Sequence, residues 1–137
     1  MANTTFNKEE KAAMRAAAAE AKAAQAGADL EAACLSAIAQ MSGLDQELAS
    51  ALHELVRQHT SLRAKTWYGM PAYANAEGKV VVFFQAAAKF QARYATIGFQ
   101  ADAHLDAGNF WPTSFALTGL DAQVKGKIIE LLQQAVS

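Results

Sequence analysis

The sequence predicts an α+β protein in which helices pack on an antiparallel sheet to form a two-layer sandwich. Apolar residues recur at helical spacing before residue 60 and again after residue 120, whereas residues 64–117 concentrate β-branched and aromatic side chains. No helical pattern separates the strand candidates, so consecutive strands should pair as an antiparallel meander. A chain of 137 residues suits one domain with a single core.

Residues 1–29 form an alanine-rich segment that we interpret as an N-terminal helical extension. Asn7 and Glu10 have the spacing of a capping box, and Gly27 is expected to end the helix. After Met1 the only large apolar side chains are Phe6 and Met14, so the extension can bury little surface. It should lie loosely on the body of the protein or project from it.

Residues 30–137 form the predicted domain, which contains three helices. Asp29 is the N-cap candidate of the first, and Gly43 ends it; Asp45 should cap the second, which runs to about His59; the third begins near Asp121. Their apolar stripes consist of Leu30, Cys34, Ile38 and Met41 in the first helix, Leu48, Leu52, Leu55 and Val56 in the second, and Val124, Ile128, Leu131, Leu132 and Ala135 in the third.

The central region contains five strand candidates, with residues 75–78 as a hairpin connection. In "KVVVFFQ" both alternating sets of side chains are apolar, so both faces of the sheet should be covered there. The cover can be a helix, a loop, a ligand or a second subunit. The predicted strands are Lys65–Tyr68, Ala72–Ala74, Lys79–Gln85, Arg93–Phe99 and Thr113–Leu117.

Composition argues against several classes of partner. Twelve basic and thirteen acidic residues give a net charge of -1, which provides no basic field for nucleic acids or anionic membranes. Cys34 is the only cysteine and sits among alanines and leucines, as expected of a small buried hydrophobe. The first residues resemble neither a signal peptide nor a spanning segment, so a cytoplasmic location is expected.

The stretch "TWYGMPAY" suggests a ligand-binding groove. Pro71 removes a backbone donor and Gly69 permits a bend, so the pattern predicts a kinked or bulged strand that re-aims its aromatic side chains. Aromatic residues are typical of binding sites and equally of ordinary cores, and both interpretations stay open. The residues predicted to form the groove are Trp67, Tyr68, Met70, Pro71, Tyr73, Phe84, Lys89, Tyr94 and Trp111.

Five ordered motifs resemble the YdhG-like domain family, a bacterial family of unknown function. They are "TWYGMPAYA", "GKVVVFFQ", "KFQARYATIGF", "LDAGNFWPTSFAL" and a closing amphipathic helix, and the resemblance spans about residues 44–136. It implies a frataxin-like sandwich with helices on an antiparallel sheet, and residues 30–137 are accordingly interpreted as one YdhG-like domain. It also implies an activity, since some relatives are described as iron chaperones.

Other residues offer weaker candidates for chemistry. Asp102, His104 and Asp106 alternate and can hold a divalent metal if the segment is extended, although Asp and Gly here also fit turns. His53 and His59 are six apart on one helix, fall on different faces and are expected at solvated or edge positions. Lys89 is expected near Tyr68, as an anion ligand or as a solvated lysine at a strand end.

No motif indicates catalysis: a nucleophile elbow, paired metal-binding histidines, paired cysteines and a phosphate loop are all missing from the sequence. Our leading hypothesis is therefore a non-catalytic binding protein whose aromatic groove takes a small molecule or a protein segment. One alternative is an iron chaperone, and iron is the only cofactor that any of these hypotheses implies. The other is a self-associating domain whose second apolar sheet face closes a homodimer. Neither nucleic acid nor membrane is expected as a partner.

Overall fold

The computed structural model describes residues 7–137 and confirms the α+β class. Three helices pack on a five-stranded antiparallel sheet with strand order β1-β2-β3-β4-β5. Phe6, one of the two large apolar residues of the predicted extension, lies outside the described residues. The elements are α1 (Lys8–Ala39), α2 (Gly43–His59), β1 (Arg63–Trp67), β2 (Met70–Ala74), β3 (Val80–Gln85), a 3-10 turn (Ala88–Phe90), β4 (Ala95–Phe99), β5 (Ser114–Leu117) and α3 (Ala122–Ala135).

Helix α1 is one continuous helix, so the predicted break between Gly27 and Asp29 is wrong. Gly27 sits mid-helix at a cost of about 1 kcal/mol relative to alanine, which the surrounding good helix formers tolerate. The predicted N-cap is confirmed, since the Asn7 side chain accepts a 2.8 Å hydrogen bond from the Glu10 backbone N–H. Residues 8–26 are exposed along their whole length, so this half of α1 contributes nothing to the buried core.

Asp45 does not cap α2 as predicted. The N-cap position is Ser42, whose side chain makes no capping hydrogen bond. The Asp45 carboxylate instead accepts hydrogen bonds from the backbone N–H groups of Ala87 (2.9 Å) and Ala88 (3.0 Å). These two groups begin the 3-10 turn after β3, so Asp45 ties the start of α2 to the end of that strand.

The core lies between the helices and one face of the sheet. Residues directly opposite one another in neighbouring strands share a face, and Ala64, Tyr73, Val82 and Phe99 form such a row toward the helices. The buried cluster joins this row to apolar side chains of all three helices. Among residues 7–137, no helix combines the length and the hydropathy that a bilayer crossing needs.

The other face of the sheet carries no helix among residues 7–137, which excludes a helix as its cover, whereas a ligand or a second subunit as the cover stays a prediction. A register shift at Tyr73 and Ala74 places Ala74 opposite Val80. Val81 and Val82 are consequently both buried in the helix-facing core, whereas Val80 and Phe83 are only half-buried. The bulge thus lets three consecutive valines belong to a sheet with one open face, which runs across Lys65, Ala72, Phe83, Gly98 and Ser114.

The stretch "YGMP" forms a tight hairpin turn rather than the predicted kinked strand. Trp67 pairs with Met70, and the two residues between them have positive φ, 50° at Tyr68 and 77° at Gly69. This combination is the two-residue turn that matches the twist of antiparallel strands. The predicted hairpin connection at residues 75–78 is confirmed, since the Asn75 side chain accepts hydrogen bonds from the Glu77 and Lys79 N–H groups.

Candidate functional site

A buried polar cluster connects α1, α2 and the sheet. The His53 Nδ1 atom lies 3.0 Å from the Tyr73 hydroxyl, and His53 Nε2 lies 3.7 Å from the Glu31 carboxylate. The Cys34 thiol points at the same hydroxyl from 3.9 Å and lies 4.0 Å from His53 Nδ1. When the hydroxyl donates to Nδ1, Nε2 carries the ring proton and faces the Glu31 carboxylate at 3.7 Å, a distance longer than a hydrogen bond.

The interior members of this cluster are shielded from water. His53 is 5 % exposed and Tyr73 is 1 % exposed, while Glu31 reaches the surface. Burial raises the pKa of the Cys34 thiol above its ordinary value of 9.0, and the hydrogen bond to Tyr73 offsets this only in part. Burial also raises the pKa of the Tyr73 hydroxyl well above 10.0. Both groups are therefore neutral near pH 7.

A cleft of about 790 Å³ lies above the cluster, between the exposed half of α1 and the C-terminal half of α2. His53 and Tyr73 form part of its wall, so the cleft borders the buried cluster on one side. Small residues on α1 keep the cleft wide, because Ala23 carries only a methyl group and Gly27 has no side chain. The lining residues are Glu20, Ala23, Ala24, Ala26, Gly27, Leu30, Glu31, His53, Val56, Arg57, Thr60, Leu62, Arg63, Ala64 and Tyr73.

The structure does not gather the nine predicted groove residues around one hollow. Met70, Pro71, Tyr73 and Phe84 are buried, and of these Tyr73 and Phe84 belong to the helix-facing core. Trp67 and Met70 lie on the open sheet face, with Tyr68 in the turn between them. Of the nine, Tyr73 alone lines the cleft; Trp67 and Trp111 line two other hollows.

Lys89 and Tyr94 lie beyond the ends of the strands, at the same end of the sheet as the β1–β2 turn. The Lys89 Nζ atom stands 3.0 Å from where a Cβ on Gly69 would lie, next to Tyr68 in the chain. The predicted approach of Lys89 to the aromatic turn is therefore seen. Tyr94 is partly exposed, and the Arg93 guanidinium lies 5.2 Å from the centre of its ring.

The three residues of the predicted metal site each have a different surrounding. The Asp102 carboxylate accepts a 3.0 Å hydrogen bond from the Asn75 amide, and the His104 Nδ1 atom lies 2.6 Å from the Ser137 carbonyl oxygen. Asp106 is exposed and borders a separate hollow beside Trp111. In the part of the chain from residue 7 onward, no three His, Cys, Asp or Glu side chains are grouped to hold a metal.

His53 is the functional residue that the sequence analysis placed wrongly, since it is buried rather than solvated. A signal was present: His53 follows Ala49 by four residues and precedes Val56 by three, which places it on the buried stripe of α2. The partners Tyr73 and Cys34 are 20 and 19 residues away in sequence and have no pattern that links them to it.

Comparisons with protein-family models, curated proteins and solved structures returned no match. Fold and site therefore define the class by themselves: an α+β protein with one open sheet face and a ligand-sized cleft between its first two helices.

Proposed function

We propose that the protein is a non-catalytic binding protein that takes a small molecule in the cleft between α1 and α2. The observation that carries this proposal is the cleft itself, whose volume lies within the range of about 300–1,000 Å³ found for small-molecule sites. Most of its wall consists of alanine, glycine, valine and leucine, with the exposed side chains of Glu20, Arg57 and Arg63 as polar groups. Such a wall binds through apolar contact and orients the ligand through a few polar contacts.

The cluster supports binding rather than catalysis because its reactive groups are occupied. The two ring nitrogens of His53 face Tyr73 and Glu31, so neither can act as a general base without loss of that contact. A thiol whose pKa is raised is a poor nucleophile, because the thiolate is the reactive form. Cys34 is moreover completely buried.

The charged residues at the wall narrow the class of ligand. Arg57 and Arg63 on one side and Glu20 and Glu31 on the other give the cleft both signs of charge. A small organic molecule with an apolar body and an anionic group fits best, since its anion can meet the arginines while its body covers Ala23 and Gly27. Glu31, which faces the ring of His53, keeps the opposite wall acidic.

The test is a matched pair of tryptophan substitutions on α1. Ala23→Trp fills the cleft, whereas Ala32→Trp places the same side chain about 180° away around the helix, nine residues further on. The purified protein is analysed by native mass spectrometry for retained small molecules and by NMR with a library of aromatic and aliphatic carboxylates. We expect the wild type and Ala32→Trp to bind and Ala23→Trp not to bind.

Equal binding by the two variants would overturn the location of the site. Absence of any retained or added ligand in the wild type would overturn the function. Circular dichroism checks that both variants keep their helices, which is expected because both alanines are exposed.

Membership of the YdhG-like family remains a prediction and is part of this proposal, as is a cytoplasmic location suited to the reduced Cys34. The fold has the helices on an antiparallel sheet that the resemblance implies. An iron-chaperone role predicts binding of ferrous iron in anaerobic calorimetry, and a self-associating role predicts a dimer in light scattering. No contact among the described residues favours either role over the cleft.

A further inference from the structure

Three aromatic side chains meet at one corner of the open sheet face, which we call the aromatic corner: Trp67, Tyr68 and Phe83. The Trp67 ring centre lies 4.9 Å from that of Tyr68 and 5.3 Å from that of Phe83. Tyr68 is 81 % exposed, while Trp67 and Phe83 are half-buried. The corner thus presents ring surface to solvent instead of packing it into the core.

Gly98 is what allows Phe83 to lie over the sheet. A Cβ at Gly98 would stand 2.2 Å from the Phe83 Cζ atom, so the far end of the ring occupies the space that any side chain at position 98 would need. Gly98 is the direct cross-strand partner of Phe83. The ring therefore leans across β4, next to Trp67, and widens the apolar surface of the corner.

Lysines surround the aromatic corner. Lys65 and Lys79 line one hollow with Trp67, and Lys89 reaches the β1–β2 turn. Within residues 7–137 the only carboxylate within 4.0 Å of a basic side chain is Glu31, beside His53, so these lysines have no ion-pair partner there. Asp102 also lines the hollow and accepts a hydrogen bond from the Asn75 amide, a neutral group that does not balance the charge of the carboxylate.

Charge is divided between the two layers of the protein. The sheet with its connections, residues 63–117, contains five basic and three acidic residues, whereas residues 8–59 contain five basic and eight acidic residues. The net charge of -1, which argued against nucleic acid, averages an acidic helical layer with a basic sheet. A polyanion that approaches the open face meets Lys65, Lys79 and Lys89, with the Asp102 carboxylate beside the first two.

We propose that the aromatic corner binds single-stranded nucleic acid, a function separate from the cleft. Unpaired bases stack on Trp67, Tyr68 and Phe83, since every base offers a flat face to an aromatic ring, and the phosphates lie near Lys65, Lys79 and Lys89. A duplex is excluded from the same contacts because its bases are already stacked. A second copy of the chain is disfavoured, because face-to-face pairing would bring like charges together.

The experiment measures fluorescence anisotropy of labelled oligouridylate and oligothymidylate of about 12 nucleotides, a length within the usual range for such sites. Trp67→Leu keeps an apolar side chain but removes the ring, and should weaken binding about tenfold, as should Tyr68→Ala. Trp67→Phe, which keeps an aromatic ring, should retain most of the affinity. The control is Phe110→Ala, which removes an aromatic residue that is 94 % exposed outside the corner. This control should leave the affinity for both oligonucleotides unchanged.

Two readouts separate stacking from general attraction. In a Trp111→Phe background, binding should quench the fluorescence of Trp67. Lys65→Gln and Lys89→Gln should each reduce the steepness of the plot of log K against log salt concentration by about 0.7. Lys125→Gln on α3 should leave this slope unchanged.

Binding to either RNA or DNA supports the proposal, and a preference for one identifies the contribution of the ribose hydroxyl. Three results would overturn it: no binding at low salt, equal affinity for a duplex, or equally tight binding of polyglutamate. The last would make the face a site for acidic protein segments. A dimer in light scattering whose formation is abolished by Trp67→Leu would assign the corner to self-association instead.

Discussion

Removing one hydroxyl from the buried cluster should destabilise the protein measurably. Tyr73→Phe deletes the group that lies 3.0 Å from His53 Nδ1 and leaves that nitrogen without its partner in a site where His53 is only 5 % exposed. A buried polar atom left unsatisfied costs about 1–3 kcal/mol. The ring of Tyr73 stays in place, so no cavity larger than one oxygen adds to this cost. We expect the free energy of unfolding to fall by about 1–2 kcal/mol.

The assay is urea denaturation of four proteins: wild type, Tyr73→Phe, His53→Leu and the double variant, with free energies from the midpoint and slope. Because replacing both partners by apolar groups leaves only the weakly polar Cys34 thiol without a partner, the double variant should be more stable than the sum of the two single effects predicts, by about 1 kcal/mol. The control is Tyr68→Phe, which removes an exposed hydroxyl and should change stability by less than about 0.5 kcal/mol. Additive effects in the cycle, or equal losses at both tyrosines, would refute the hydrogen-bonded cluster.

Three further predictions concern pH, packing and the N-terminal segment. Burial raises the pKa of the Cys34 thiol above 9.0, so the stability that the neutral thiol contributes is complete below pH 9.0 and is lost as pH rises above it, where the thiol of the unfolded chain ionises first. Cys34→Ala should therefore reduce the fall in the free energy of unfolding that urea denaturation measures across alkaline pH. An unchanged fall would contradict this. Gly98→Ala should cost about 1–3 kcal/mol and shift the emission of Trp67, since the new Cβ displaces the Phe83 ring; thermal melts that match the wild type would show that the ring moves freely. Deleting residues 1–19 should change the unfolding free energy by less than about 0.5 kcal/mol, because residues 8–19 are exposed; a larger loss in urea would show that the extension packs on the body.

The sequence by itself determined the class of fold and most of the elements. Helical spacing and strand composition depend only on near neighbours, so the helix beginning at Asn7, the five strands and the Asn75 hairpin follow from local patterns. Gly27 was misread because a glycine is a weak signal: a long run of alanine outweighs its cost. The turn at Tyr68 and Gly69 was predicted as a kinked strand because a turn of this kind usually has asparagine or aspartate before the glycine.

Only the tertiary structure decided which side chains meet. The bulge opposite Val81 sends that residue to the core and leaves Phe83 on an open face, and no alternation rule predicts where a bulge falls. His53 meets Tyr73 and Cys34 because α1, α2 and β2 cross at one point. The packing of the helices on one face of the sheet likewise separates the basic residues of the sheet from the acidic residues of the helices. Periodicity specifies which face of each element is apolar, whereas proximity between distant segments depends on how those faces pack together.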